Sequence, residues 1–425
     1  MTVAAFTFSL LGAMALGMPI AFALLVCAAA LMLAQGQWDA TILSQKLFEG
    51  ADSFPLLAIP FFMLAGELMN AGGISRRIVN FALAWVGHIR GGLGFVAVFA
   101  SVMMAAISGS AAADTAAIGT LLIPLMREAG YNVPRSAGLI AAGGVIAPVI
   151  PPSIGFIMFG VIANVSIGKL FLAGFFPGIL MGVSLAIAWQ WVARRDQVAV
   201  LPRQSWGARL RAGWDGVWAL LMPVGIVAVL KFGIFTPTEA GVAACVYAFL
   251  IGTLAYRELP LRQLYPLLVA AAKRTAVVVF LIAAALVSAW LITASDVPEQ
   301  IAAMLRPFMG DRTLLMFVIM VLVVIVGTAL DFAPTVMILT PVLMPVIKEA
   351  GIDPVYFGVL FIMNNAIGLI TPPVGIVLNV ICGVARIPMT DLVRHLWPFL
   401  WAELIVLLLL VLFPSLVMVP LRWLM

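Results

Sequence analysis

The sequence predicts an all-α polytopic membrane protein built from two similar halves, each with a hairpin turning back inside the bilayer and a helix broken midway. Three observations carry this. Of 425 residues only 10% are charged and 64% are hydrophobic, with a mean hydropathy of +1.19. Soluble domains carry about 25% charge and no more than about half apolar residues, so a water-soluble globular domain, a disordered chain and a secreted disulfide scaffold are excluded. Second, motifs recur at a nearly constant offset: Pro124 to Gly130 reads PLMREAG and Pro345 to Gly351 reads PVIKEAG, 221 residues later (345 less 124). Third, each half holds one apolar run too long for a single crossing and another cut by consecutive prolines.

Taken in order, residues 4–34 form an apolar run with no Lys or Arg before it, which reads as a retained helix rather than a cleaved leader. Between Gln35 and Ser53, Trp38, Ile42, Leu47 and Phe48 alternate with Asp39, Lys46, Glu49 and Asp52, the pattern of an amphipathic helix lying along the interface. The run from Gly91 to Met126 contains Asp114 as its only charge, and that from Thr313 to Ile347 only Asp331. At 1.5 Å per residue either would make a helix of about 54 Å, against a hydrocarbon core of roughly 30 Å. Both must turn back or break, and turn residues stand ready: Ser108-Gly109-Ser110 before Asp114-Thr115, and Gly327-Thr328 before Asp331 and Thr335.

The second run of each half, Ser136 to Gly168 and Pro354 to Ala385, is interrupted by Ala147 to Ser153, with Pro148, Pro151 and Pro152, and by Thr371-Pro372-Pro373-Val374-Gly375. Proline lacks a backbone donor and clashes with the preceding turn, so each interruption should unwind a membrane helix and free carbonyls. Such backbone survives at membrane depth only inside protein or beside a wet cavity. Its duplication is the best sequence pointer to a transport site.

Between the halves, Ala193 to Asp215 holds Arg194, Arg195, Arg203, Arg209 and Arg211 against Asp196 and Asp215, a cytoplasmic connector by the positive-inside rule. This divides the chain into residues 1–193, a connector 194–214, and residues 215–425. The prolines at 151–152 and 372–373 share the 221 offset, Gly155 and Gly375 follow at 220, Met18-Pro19-Ile20 faces Thr236-Pro237-Thr238, and the stretch from Ala71 weakly resembles that from Ala294.

The remaining conspicuous residues take plainer readings. Cys27, Cys245 and Cys382 are small buried hydrophobes, since three cysteines cannot close a paired framework. His88 and His395 are too far apart in sequence for a metal pair, and Asp391 is the only ligand-spaced neighbour of His395, so packing or hydrogen bonding is expected rather than a transition metal. Glu67 and Glu239 read as pairing or capping groups with a functional role open. The net charge of +5 belongs to loops rather than to a nucleic-acid surface. An ionised carboxylate near the bilayer centre costs about 2.5 to 3.5 kcal/mol, so Asp114 and Asp331 call for a compensating cation or donor array.

Several stretches together resemble the large membrane subunit of the tripartite ATP-independent periplasmic (TRAP) transporters: ISGSAAADTAAIG from Ile107, PLMREAGY from Pro124, APVIPPSIGFIMFG from Ala147, FTPTEAGVAA from Phe235 and TPPVGIVLNV from Thr371. The resemblance covers nearly the whole chain in order. It implies two inverted-topology repeats of the elevator type in a bacterial inner membrane, and import of a small organic acid (dicarboxylate, sialic acid or sugar acid) driven by sodium without ATP. It implies a periplasmic solute-binding protein and a small four-helix membrane subunit, expected here as a separate polypeptide, with membrane lipid around the complex and no cofactor beyond Na⁺. One expected cation cage joins Ser108, Gly109, Ser110, Asp114 and Thr115 to Pro148 and Pro151; the other joins Gly327, Thr328, Asp331 and Thr335 to Thr371 and Gly375. The substrate carboxylate would be held by helix dipoles with Ser110, Ser153, Asn364, Asn365 and Thr371. Two rival readings use the same residues: a proton-coupled exchanger or channel, and an intramembrane protease with Asp114 and Asp331 as a pair or Ser110 as nucleophile, for which no basic partner lies nearby. No glycine-rich nucleotide loop is present.

Overall fold

The computed structural model describes residues 2–36, 38–194, 201–294, 300, 303–372 and 374–425. Arg195, Asp196, Pro373 and most of the stretch after Ala294 therefore lie outside the described residues. All elements among the described residues are helical, and seven helical segments are long and apolar enough to cross a membrane.

The first half begins with α1 (Thr2–Ala15) and α2 (Ile20–Ala34), packed together and joined through Gly17 at φ +76°. Then comes α3 (Ala40–Ala51), the amphipathic helix expected from residues 35–53. Its N-cap is Asp39, whose Oδ1 accepts from the Thr41 N–H at 2.7 Å, and those backbone donors hold the carboxyl below the ordinary aspartate range. Next are α4 (Ala58–Ala71), α5 (Ile74–Val86), α6 (Gly92–Ser108) and α7 (Ala111–Glu128). The half closes with α8 (Val133–Gly144), α9 (Ile154–Ala163) and α10 (Ile167–Ala193). The second half runs α11 (Trp206–Lys231), α12 (Pro237–Leu250, prolonged by a π turn to Ala255), α13 (Leu264–Ala294), α14 (Arg312–Ala329) and α15 (Phe332–Glu349). It ends with α16 (Pro354–Gly368), α17 (Ile376–Ala385), α18 (Met389–Leu412) and α19 (Ser415–Leu424).

Both long apolar runs break where their length requires it. The run from Gly91 splits into α6 and α7 around Gly109, whose φ of +61° is open to glycine without strain. The run from Thr313 splits into α14 and α15 at Leu330-Asp331, where Asp331 caps α15 through the Phe332 N–H at 2.7 Å. The proline-cut runs split into α8/α9 and α16/α17. The repeat survives in three dimensions: α7 and α15 are both 18 residues and start 221 apart (332 less 111), while α9 and α17 are both 10 and start 222 apart (376 less 154).

The helices segregate into two bodies. In one, α4 packs on α12, α5 on α11, and α13 on α2, α3 and α4. Glu67 of α4 pairs with Arg274 of α13, and Glu239 closes a capping box on Thr236 at the start of α12, so both acids are structural. The other body gathers α6 to α10 with α14 to α19. The bodies meet where α4 and α5 touch α6 and where α13 touches α15. Cys27 and Cys245 are buried, and none of the three cysteines forms a disulfide. The His395 ring bonds the Asp391 carbonyl oxygen at 2.9 Å, the hydrogen-bonding role expected of it.

Candidate ion and substrate site

The first hairpin tip sits on the first break. A Cβ on Gly109 would lie 2.9 Å from the Pro152 carbonyl oxygen and 3.5 Å from the Ser153 Cα, so this close approach also demands glycine. Ser108 donates to Asp114 Oδ1 at 2.5 Å, and Ser110 caps α7 toward the Ala113 N–H at 3.5 Å. Asp114 and Thr115 are buried, yet Asp114 Oδ2 and Thr115 Oγ1 have no hydrogen-bond partner among the described residues. Thr115 Oγ1 lies over the last residue of α8: a Cβ on Gly144 would stand 1.8 Å from it. Ser101 of α6 repeats the arrangement one residue earlier, its unpartnered Oγ lying 2.3 Å from where a Gly143 Cβ would be. At the break, Pro151-Pro152 is a cis peptide, and Ser153 donates to the Pro148 carbonyl at 2.5 Å while capping α9 through the Phe156 N–H. The Ser153 hydroxyl is thus engaged within the break.

In the second half the broken helix also meets its hairpin, through different positions. Register 221 sets Gly143 and Gly144 opposite Asn364 and Asn365 (364 less 143). Asn364 Nδ2 donates to the Met320 carbonyl at 2.6 Å and Asn365 Nδ2 to the Phe332 carbonyl at 2.7 Å. Both side chains are buried, and both Oδ1 atoms are unpartnered. Here the glycine is on the hairpin: a Cβ on Gly327 would stand 3.5 Å from Asn365 Oδ1 and 3.5 Å from the Gly368 Cα. In one half the hairpin brings a hydroxyl to glycines of the broken helix; in the other the broken helix brings an amide oxygen to a glycine of the hairpin. Thr371 bonds the Ile367 carbonyl at 2.9 Å, and Gly375, at φ +51°, starts α17. Across this break the Val377 N–H reaches the Leu369 carbonyl at 3.3 Å.

Asp114 and Asp331 are not equivalents. Asp331 corresponds to Ser110 (331 less 221) as the N-cap of its hairpin's second helix and is exposed, with its Oδ1 bonded to Phe332. Asp114 corresponds instead to Thr335, which is buried and bonds the Asp331 carbonyl at 2.9 Å. Thr328 bonds the Ile325 carbonyl at 2.7 Å within α14.

The two halves interlock. Hairpin one lays Gly119 of α7 against Ile381 and Val384 of α17, and hairpin two lays Phe332 of α15 against Gly155 of α9. Each hairpin therefore touches both broken helices. Buried polar atoms are paired in the great majority of cases, so the unpartnered oxygens of Ser101, Asp114, Thr115, Asn364 and Asn365 among the described residues are candidate ligand atoms. Hydroxyl, amide and carboxylate oxygens with freed carbonyls are the donor chemistry of a hard cation, and the α9 N-terminus adds N–H groups suited to an anion. Sequence reasoning missed Ser101, a lone polar residue in an apolar run. It also missed Glu403, buried in α18 with both carboxylate oxygens unpartnered and Met181 at its place in the first half (403 less 222).

Comparison with known proteins gives these observations a family. Residues 7–416 match the model of the tripartite ATP-independent periplasmic transporter, DctM component. The chain is 53% identical over 427 residues to the 2,3-diketo-L-gulonate TRAP transporter large permease protein of Escherichia coli, covering 100% of both chains. It is 37% identical over 408 residues to the sialic acid TRAP transporter large permease protein of Vibrio cholerae, covering 96% of each. Among solved structures, the Alcanivorax borkumensis YdaH transporter, described as having an unusual topology, superposes with a TM-score of 0.66 at 15% identity over 88% of each chain, a likeness of fold. The chain is a multi-pass inner-membrane protein belonging to the TRAP transporter family as its DctM component, the large permease.

Proposed function

We propose that this permease imports a small organic acid by sodium symport, within a three-part assembly with a small membrane subunit and a periplasmic binding protein. The observation that carries the reading is the pair of hairpin-on-break contacts with unpartnered buried oxygens. In the first cage Thr115 Oγ1, Asp114 Oδ2 and Ser101 Oγ coordinate one Na⁺ with carbonyls freed at the end of α8. In the second, Asn365 Oδ1 and carbonyls around Gly327 and Thr371 serve another. The substrate anion lies between, attracted by both cations and by the N–H groups at the hairpin tips and half-helices. Its class is suggested by relatives named for 2,3-diketo-L-gulonate and sialic acid, both carboxylates on a hydroxylated carbon chain.

Because the interlocked hairpins and broken helices form one body, cations and substrate cross with that body as a package while α4, α5 and α11 to α13 stay as scaffold. Bound cations offset the charge that would otherwise be costly at membrane depth. Reconstituted vesicles test this. With binding protein and small subunit present, an inward sodium gradient should drive uptake at constant pH, and a proton gradient alone should not. Uptake driven equally by protons refutes sodium coupling, and robust sodium-driven uptake by this chain alone refutes the three-part requirement.

A further inference from the structure

A cavity away from the transport site lies between α5 and the start of α11. It has a volume of about 670 Å³ and is lined by Arg76, Arg77 and Arg211 with Asn80, Gln204 and Asp215. One carboxylate serves two of these cations: Glu258 pairs with Arg76 at 2.7 Å and Arg77 at 2.8 Å. Arg211 is exposed and has no hydrogen-bond or ion-pair partner among the described residues. Two residues before it, on another face of α11, Arg209 is 4% exposed, and among the described residues its Nε is unpartnered while its side chain bonds His88 Nδ1 at 3.3 Å. This surface therefore holds more fixed positive charge than the chain neutralises.

On α11, Trp206, Leu210 and Trp214 are 64%, 65% and 77% exposed; at about 3.6 residues per turn Trp214 flanks Arg211, while Trp206 and Leu210 lie on the face away from the cavity-lining Ala208, Ala212 and Asp215. Spaced four apart, they form one stripe along α11, and Trp218 continues it. Tryptophans with arginines in this arrangement occupy the headgroup level of a bilayer, where the ring lies among glycerol and upper acyl groups. We propose that the cavity is a binding site for the headgroup of an anionic phospholipid. The phosphate accepts from Arg211 and Arg76, Asn80 and Gln204 bond the polar headgroup, and the acyl chains descend past Trp214 and Trp218. Arginine suits this role because its planar fork meets phosphate oxygens two at a time. A lipid bound here would fasten α5, which leads into hairpin one, to the scaffold helix α11, independently of the coupling ion.

The test is lipid retention by the transporter, purified with its co-expressed partner subunit from nanodiscs of equal phosphatidylglycerol and phosphatidylcholine and read by native mass spectrometry. The expected result is selective retention of phosphatidylglycerol, reduced about fivefold by Arg211→Gln, the effect of one basic residue on an anionic lipid. Arg211→Lys should recover part of it. Arg203→Gln, the same charge change on an exposed residue outside the cavity, should leave it unchanged, and matched melting temperatures exclude misfolding. Millimolar inorganic phosphate should not displace the lipid. Equal retention of both lipids, equal loss in the Arg203 and Arg211 variants, or displacement by free phosphate overturns the proposal. So does loss of selective retention when the small subunit is bound, which would assign the face to that subunit.

Discussion

Gly144→Ala is the sharpest probe of how hairpin one meets the first broken helix. The new methyl would stand 1.8 Å from Thr115 Oγ1 and 3.0 Å from the Ala111 carbonyl oxygen, where ordinary contact begins at 3.4 Å. Restoring contact requires a displacement of about 1.6 Å (3.4 less 1.8). Thr115 is fully buried and cannot swing into open space, and Ala111 belongs to the hairpin backbone. Overpacking of this kind costs about 1 to 3 kcal/mol, so Gly144→Ala should lower the melting temperature and impair sodium-driven uptake together. Thr115→Ala removes the opposing oxygen. The double variant Gly144→Ala/Thr115→Ala should therefore regain part of the stability, the contacts at 3.0 Å with the Ala111 carbonyl and 3.1 Å with the residue-115 Cβ remaining, while the sodium concentration for half-maximal uptake stays raised by about 2- to 12-fold, the value of one neutral oxygen contact of about 0.5 to 1.5 kcal/mol. The assay is uptake into vesicles against sodium at fixed pH, with thermal unfolding of the same preparations. Recovery of both stability and wild-type sodium dependence in the double variant would show that Thr115 only fills space.

Asp114→Asn should raise half-maximal sodium by at least about tenfold, since a charged contact contributes about 1.5 to 3 kcal/mol. Asp331→Asn should keep near-wild-type stability because asparagine caps as well as aspartate; a larger sodium effect at Asp331 would reverse this ranking. Outside the spans, burial raises the Glu258 carboxyl, but the hydrogen bonds and charges of Arg77 and Arg76 outweigh it and hold it below the ordinary glutamate value. The folded value being lower, its contribution to stability is present above the unfolded value of about 4.3 and is lost as pH falls through the folded one. Glu258→Gln should flatten that acid limb of the melting temperature, and an unchanged limb would contradict it. A thiol at Ser205→Cys, with Cys27, Cys245 and Cys382 replaced, should react with an impermeant reagent only from the cytoplasmic side; labelling in intact cells would invert the topology.

The features legible in the sequence were those governed by length and backbone chemistry. Apolar runs longer than the bilayer had to fold back, and they do so at Gly109 and at Leu330-Asp331. The proline-cut runs had to break, and they do, α8 ending at Gly144 before Pro148 and α16 at Gly368 before Pro372. What was not legible depends on contacts between distant segments. Asp114 and Asp331 look alike as lone acids, yet one is a buried group beside Ser108 and the other an exposed cap, because register aligns Asp331 with Ser110. Asn365 and Gly144 share a position although their residue types have nothing in common, and each meets a different part of its hairpin, Gly327 in one half and Thr115 in the other. Glu67 finds Arg274 across 207 residues. Glu403 escaped because the search followed duplication, and its counterpart is a methionine.

The central claim is that two hairpin-on-break contacts each hold one sodium ion. Equilibrium binding of radioactive sodium to the purified transporter measures this directly. Wild type should bind at the two cages, with Thr115→Ala weakening one and Asn365→Ala the other, while both variants remain folded by thermal unfolding. Wild-type sodium binding retained in both variants, or absent from the wild type, would contradict the assignment.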